Sequence, residues 1–342
     1  MKRRYNMHAL DFTTGYAGIA IRYDGETPWH GYGSRVHDDA TLDDWRIAAG
    51  LNWEVDERTV YYSRQVPTVV GGNDFDLKNV PTPIENRKVL VRTDNQEPLG
   101  IVGKGYHVVQ PEQVMDFYKE LIEANGFQMD TAGSLMDGKR IWALARIGES
   151  TRIFGQDKID GYVLLATSYD SSMATTCQFT SVRVVCNNTL EWATQDGKGA
   201  FKIAHNKKFD ADEAKGALGL TKETWELYEQ QVNKLANTHV DLETALAFFT
   251  AVLGKDAITI TEDGKPAYSP TFQKMFAAYE RSPGANLKSA HHTAWGLVNA
   301  VTFYQDHMAK TSKSGSRLNS AWFGSGANRK AKAMEEAVKI AA

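Results

Sequence analysis

Hydrophobic positions recur first with a period of two and later with a period near 3.6. This switch divides the chain into a strand-rich front and a helical rear. The central stretch is the clearest. Residues 101–109 read as a strand, and Pro111 then opens a helix whose apolar residues Val114, Phe117, Tyr118, Leu121 and Ile122 share one face before Asn125-Gly126 ends it. Four alternating runs follow with no helix between them: 127–135, 140–147, 162–169 and 173–186. They are joined at Asp137-Gly138, at a longer connection around Gly155, and at Asp170-Ser171-Ser172. Asn187 or Asn188 then caps a further helix from Thr189. The expected core is a βαββββα unit, an antiparallel β-meander with a helix across one face.

Around that core the fold class reads as α+β, with a β-rich N-terminal region (1–100), the core (101–205) and a helical C-terminal region (206–342). Thr41-Leu-Asp-Asp44 has capping-box spacing and starts a short helix over 42–49, closed by Gly50. Residues 17–23, 53–62 and 87–93 carry β-favouring side chains, while Gly71-Gly72-Asn73-Asp74 and Pro81-Thr-Pro83 mark loops. In the rear, Trp225, Tyr228, Val232 and Leu235 share a helical face, as do Leu242, Ala245, Leu246 and Phe249, with irregular chain from Gly254 to Pro270. Helices over 272–279 and 292–308 follow, and a Gly/Ser-rich loop over 311–326 precedes a terminal helix over 327–340.

Composition is that of a packed protein: of 342 residues 42% are hydrophobic and 24% charged, which excludes a charge-rich disordered chain. Cys177 and Cys186 match neither a zinc pair nor a redox dithiol in spacing, so reduced thiols are expected. No apolar run has signal-sequence or bilayer length, and the expected location is the cytoplasm, away from membranes. A net charge of −3 argues against indiscriminate nucleic-acid binding. Yet from Arg281 onward nine Lys or Arg stand against three acids, which leaves room for a phosphate-binding face.

Nucleotide and metal chemistry find no motif. Gly103-Lys-Gly105 lacks the upstream glycine and the following Ser or Thr of a phosphate-cradling loop, and no GxGxxG follows a strand, so no nucleotide cofactor is expected. His30, His205, His291 and His292 form no HExxH and pair with no cysteine at ligand spacing. A hydrolase built on His30, Cys186 or His205 lacks a matched base and orienting group. Asn299, Thr302 and Asp306 recur along one helical face and read as a solvated or internally hydrogen-bonded surface, with a recognition or subunit-contact face as the alternative. Near the C-terminus Lys310, Arg317, Trp322 and Phe323 combine cations with aromatic faces, the parts a single-strand site needs; the two rings could equally dock the last helix onto the core.

Several separate motifs together resemble the phage/plasmid-like protein family catalogued as domain of unknown function 932. They are Pro28-Trp-His-Gly31, Thr131-Ala-Gly-Ser-Leu135 with Ile141-Trp-Ala-Leu-Ala145, Phe179-Thr-Ser-Val-Arg-Val-Val-Cys-Asn-Asn-Thr189, Asn299-Ala-Val-Thr302 and Ser320-Ala-Trp-Phe-Gly-Ser-Gly326. The likeness runs from the amino end to the last helix and implies a phage or plasmid context in a host bacterial cytoplasm. The core is also similar to that of Rad-type single-strand annealing proteins. That likeness implies an ATP-independent, homo-oligomeric protein that binds and anneals single-stranded DNA in recombination, without covalent chemistry or cofactors. On this reading Arg183, Arg146 and Lys139 on the meander, with Lys207, Lys208 and Arg317, contact the phosphate backbone, and Trp322 and Phe323 stack on bases. A phage accessory protein that binds a host protein, as in anti-restriction, is the alternative from another class.

Overall fold

The computed structural model describes residues 11, 17–22, 33–71, 74–183, 188–191, 200–218, 222–310 and 317–342. Its fold class is the expected α+β, with antiparallel sheets in the front half and helices behind. Strands β1 (Ile19–Arg22) and β2 (Ser34–Val36) lead into helix α1 (Leu42–Ala48). The capping box is complete there: Asp44 N donates to Thr41 Oγ1 at 3.2 Å and Thr41 N to the Asp44 carboxylate at 2.9 Å.

Strands β3 (Val55–Gly71), β4 (Asp74–Arg92) and β5 (Pro98–Gly103) form a three-stranded antiparallel sheet. Both β3 and β4 run well past the expected strands. Pro81-Thr-Pro83, expected as a loop, lies inside β4 opposite Ser63, Tyr62 and Tyr61. The reason is positional: β5 pairs with β4 only from Arg87 to Val91, so at the prolines the other edge of β4 is open and a missing N–H breaks no ladder bond.

Helix α2 (Pro111–Asn125) begins at Pro111 and stops at Gly126, whose φ of 67° is the left-handed conformation that glycine adopts without strain. Strands β6 (Gln128–Leu135), β7 (Arg140–Ile153), β8 (Asp157–Ser168) and β9 (Thr175–Arg183) form the expected meander, each antiparallel to the next. A tight turn at Phe154-Gly155-Gln156, and not a longer connection, joins β7 to β8. β1 extends the sheet beside β6, and β2 lies parallel to β1.

On the far side β10 (Asn188–Glu191) and β11 (Ala200–Ile203) both pair with β9. The helix expected from Thr189 is therefore a strand, Thr189 facing Val182. The open edge of β9 offers this segment a complete ladder, which outweighs the local cap signal of Asn188. The strand expected over 101–109 ends at Gly103, and the remainder is irregular chain held by His107 N donating to His205 O at 2.6 Å.

The apolar stripe of α2 is buried at Val114, Phe117, Tyr118 and Leu121, and partly buried at Ile122. Tyr118 pins this helix to the sheet. Its hydroxyl donates to Ala143 O on β7 at 2.6 Å and accepts from Leu165 N on β8 at 2.9 Å, and burial drives its pKa well up.

Behind the sheet come α3 (Ala211–Leu218), α4 (Lys222–Asn237) and α5 (Leu242–Leu253). A small hairpin of β12 (Ile258–Ile260) and β13 (Pro266–Tyr268) occupies the stretch expected to be irregular. Then come α6 (Pro270–Arg281), α7 (Ala294–Phe303) with a widened π-turn over Tyr304–Met308, α8 (Arg317–Phe323) and α9 (Ser325–Ile340). Helix α7 is buried from Ala294 to Thr302, so the Asn299 and Thr302 part of the stripe is internal and Asp306 is half-buried after it. Asn299 Nδ2 donates to Trp295 O and Thr302 Oγ1 to Val298 O, both at 2.8 Å, and Asp306 pairs with buried Lys330 at 3.0 Å. The loop expected over 311–326 contains α8 and the start of α9, because Leu318, Ala321 and Trp322 form an apolar face that packs on the sheet; 311–316 lie outside the described residues.

The sheet is thus covered on both sides. Helices α2, α3 and α4 pack over Ala143, Val163, Leu165, Cys177 and Phe179; α8 packs over Trp142, Leu144 and Leu164. Among the described residues no helix is long and apolar enough to cross a membrane. The pinning role of Tyr118 is checked by Tyr118→Phe, which leaves Ala143 O and Leu165 N without the phenol. Chemical denaturation should show a loss of about 1–3 kcal/mol, whereas a loss near zero would show that the ladder closes without it.

Candidate functional site: a basic rim at the turn end of the sheet

At one end of the meander the β6–β7 and β8–β9 turns meet, with Tyr169 N donating to Lys139 O at 2.8 Å. Strand β5 lies directly against them. A Cβ on Gly100 would sit 2.6 Å from Tyr169 O and 2.8 Å from Asp170 Cα, so only glycine allows this approach. The chain after β11 closes the rim. His205 places Nδ1 3.2 Å from His107 O and Nε2 3.1 Å from Met173 O, and burial holds its imidazole below the usual range against the pull of those carbonyls. Its ring stacks on Tyr106 at 4.2 Å and 15°, and the Tyr106 hydroxyl donates to Ser168 O.

Two clefts flank Tyr106. One of about 510 Å³ is lined by Glu57, Lys88, Lys104, His107 and Lys208; the other, of about 470 Å³, by Gly105, Ser171, Met173, His205 and Asn206. Lys88 is occupied by Glu57 and by Tyr106 O, each at 2.7 Å. Lys104, Lys139, Lys207 and Lys208 form no ion pair among the described residues, while Asp137 and Asp170 stand in the two turns and Glu57 in the cleft.

Three arginines in the fold show how unusual the charge at this rim is. Arg92 is 0% exposed and lies between Asp11 at 2.5 Å and Asp94 at 2.7 Å, over the Trp53 ring. Burial opposes its charge, but the two carboxylates outweigh burial and raise its pKa. Arg146, on β7, faces the Tyr162 hydroxyl at 3.2 Å, Asp130 at 3.5 Å and Asp160 at 3.8 Å, and these likewise outweigh burial.

Arg140, at the start of the same strand beside Lys139, is only 4% exposed and has no carboxylate partner. It donates to Asn319 Oδ1, to Ser172 Oγ at 2.7 Å, and lies 5.3 Å from the Phe323 ring; its Nε has no acceptor. Burial lowers its pKa, with Asp170 offsetting only part of that cost. A buried guanidinium without an ion-pair partner is a standing cost of several kcal/mol in a fold.

Of the residues singled out in the sequence, Lys208 lines the cleft that holds Lys88 and Lys104, Lys207 precedes it on the chain after β11, and Lys139 lies in the β6–β7 turn. Arg146 lies elsewhere on β7, within its acidic cluster. Arg317 donates through Nε to Ala309 O at 3.0 Å, joining α8 to the end of the π-turn. Trp322 is 6% exposed and packs edge-on against Trp142 at 5.2 Å, so its ring docks α8 onto the sheet and is not an open stacking platform. Phe323 is half-buried against Arg140. Arg183 ends β9, paired with Ile159 and Asn188, and its side chain lies outside the described residues.

Sequence reading missed Arg140 and Lys104. The signal for Lys104 was Gly103-Lys-Gly105, weighed only as a phosphate loop. Arg140 had no local signal, because the absence of an acid around it is a property of the packing. Among the described residues no three His, Cys, Asp or Glu are grouped to hold a metal.

Residues 98–322 match the family described as Domain of unknown function (DUF932). The chain belongs to the DUF932 family. No curated protein and no solved structure matches it. The DUF932 match begins at β5 and ends in α8, so it contains Arg140 and all four rim lysines. The likeness expected from the amino end is thus carried by residues 98–322; Pro28-Trp-His-Gly31 falls outside both the match and the described residues.

The contrast between the arginines is open to measurement. Arg140→Met should leave the unfolding midpoint unchanged or raise it, because it removes a buried charge that no carboxylate needs. Arg92→Met should cost about 3–5 kcal/mol by orphaning Asp11 and Asp94. An equal loss from both would show that Arg140 is neutralised in solution.

Proposed function

We propose that the rim binds the phosphate backbone of a single-stranded nucleic acid, and that this DUF932 chain is an ATP-independent strand-binding and annealing protein in a phage or plasmid setting. The observation that carries the reading is Arg140. A phosphate oxygen supplies the negative charge that its buried guanidinium lacks, in a charge-assisted bond of the kind arginine forms with phosphate. In binding, phosphate replaces the neutral oxygens of Asn319 and Ser172 as the acceptor.

Lys104 and Lys208 in the neighbouring cleft, with Lys139 and Lys207, supply the further cations that a strand needs and a lone phosphate does not. The chemistry is reversible association only: bases stay accessible for pairing because the contacts are to phosphate.

The test is fluorescence anisotropy of a labelled oligothymidine over a salt series, without nucleotide or metal. Binding should weaken as salt rises, since each neutralised phosphate releases counterions. The triple variant Lys139→Ala, Lys207→Ala, Lys208→Ala should flatten the logarithmic salt slope by about 2, at roughly 0.7 per contact. Arg140→Met should weaken binding by about 1.5–3 kcal/mol while the fold persists. Absent binding, or an isotherm indifferent to salt, overturns the reading.

A further inference from the structure

His205 meets two backbone carbonyls with a single ring. Its Nδ1 lies 3.2 Å from His107 O and its Nε2 3.1 Å from Met173 O. A neutral imidazole carries one N–H and one lone pair, so it donates to one of these oxygens and turns a lone pair toward the other. The imidazolium carries an N–H on each nitrogen and donates to both. Only the charged ring completes this geometry.

The two carbonyls belong to different walls of the cleft of about 470 Å³. His107 follows Tyr106 on the segment after β5, and Met173 lies in the turn between β8 and β9. The chain that carries His205 is already fastened to the first wall: His107 N donates to His205 O at 2.6 Å, and the two rings of His205 and Tyr106 stack at 4.2 Å. The bond from the ring to Met173 O joins that chain to the second wall.

Charge and burial work against the second proton. The titratable and charged groups on the packed elements are Lys104, Tyr106 and His107 after β5, Asp170 in the β8–β9 turn, and Lys207 and Lys208 on the chain of His205 itself. Among the described residues none of them forms an ion pair with the ring. The ring is half-buried, and burial holds its pKa below the usual range although both carbonyls pull it upward. At neutral pH the free ring is therefore uncharged, and one carbonyl goes without its donor. An anion among Lys104, Lys207 and Lys208 tips the balance the other way, because nearby opposite charge favours the imidazolium.

We propose that His205 is a proton-operated latch of the rim: as a phosphate-bearing strand binds, the ring takes up one proton from solvent and closes on both carbonyls, so that binding and protonation strengthen each other. The latch rests on the rim reading for its anion and on the two carbonyls for its geometry. It involves no covalent step. The imidazolium also gains the face of Tyr106 as a cation–π partner.

Two measurements on the full chain test the latch between about pH 8 and about pH 5.5, where histidines titrate. The first follows the ring nitrogens of His205 by NMR on histidine-labelled wild-type protein, assigned by through-bond correlation to the backbone. In the free protein His205 should titrate below the ordinary histidine value, with one N–H at the upper end of the range and two at the lower. Oligothymidine should raise that titration by about one unit, the scale of a neighbouring opposite charge.

The second repeats the anisotropy titration with oligothymidine across the same range at fixed salt. Affinity should rise about tenfold as pH falls, since a one-unit rise in pKa on binding is a tenfold gain by linkage. His205→Gln should cut that gain to about twofold or less, whereas His107→Gln, which removes the other rim histidine, should keep it. Binding that does not change with pH, or a gain that survives in His205→Gln, overturns the latch and leaves the rim reading standing. So does a free-protein ring that titrates at the ordinary value, because such a ring is not held between the carbonyls. Absence of oligothymidine binding at every pH overturns the rim reading and the latch together. The NMR titration is made on wild-type protein and decides even where His205→Gln is unstable.

Discussion

The central sheet is covered on both faces along most of its length, and a charge buried within it must find an opposite charge or a ligand. Strand β7 shows both outcomes within one element. Arg146 is surrounded by Asp130, Asp160 and the Tyr162 hydroxyl, whereas Arg140, six residues earlier, is held by neutral oxygens and an aromatic ring. Arg140 is buried and Arg146 half-buried, and they differ also in what the neighbouring elements bring. The β6 and β8 strands deliver carboxylates to Arg146, while the β8–β9 turn and α8 deliver a serine, an asparagine and Phe323 to Arg140.

The same double coverage explains why the candidate site lies at an end of the sheet. One face is closed by α2, whose Tyr118 hydroxyl reaches the β7–β8 ladder, and the other by the Trp142–Trp322 contact of α8. Only the turns remain open. They are held by short, specific contacts: Lys139 to Tyr169, Gly100 against Tyr169 and Asp170, and His205 between His107 and Met173. Loops fixed on a rigid scaffold in this way can hold several cations close together, because backbone bonds and packing bear the cost of their mutual repulsion.

The sequence alone determined most of the secondary structure. Period-two runs with turn residues at Asp137-Gly138 and Asp170-Ser171-Ser172 specify the meander, and the Pro111 start, apolar stripe and Gly126 stop specify α2, because these signals are local and agree with one another. It also placed Lys139, Lys207 and Lys208 among the candidate cations.

Tertiary structure decided the rest. Thr189 became a strand because β9 had an open edge, Pro81 and Pro83 entered a strand because β5 stops short of them, and Trp322 turned inward because Trp142 offered a face. Above all, tertiary structure decided which arginines are neutralised. Arg92 finds Asp11 across a long stretch of chain, Arg146 finds Asp130 on the neighbouring strand, and Arg140 finds no acid at ion-pair distance. Whether a buried charge has a partner depends on which distant segments the fold brings within about 4 Å, and local pattern carries no record of that distance.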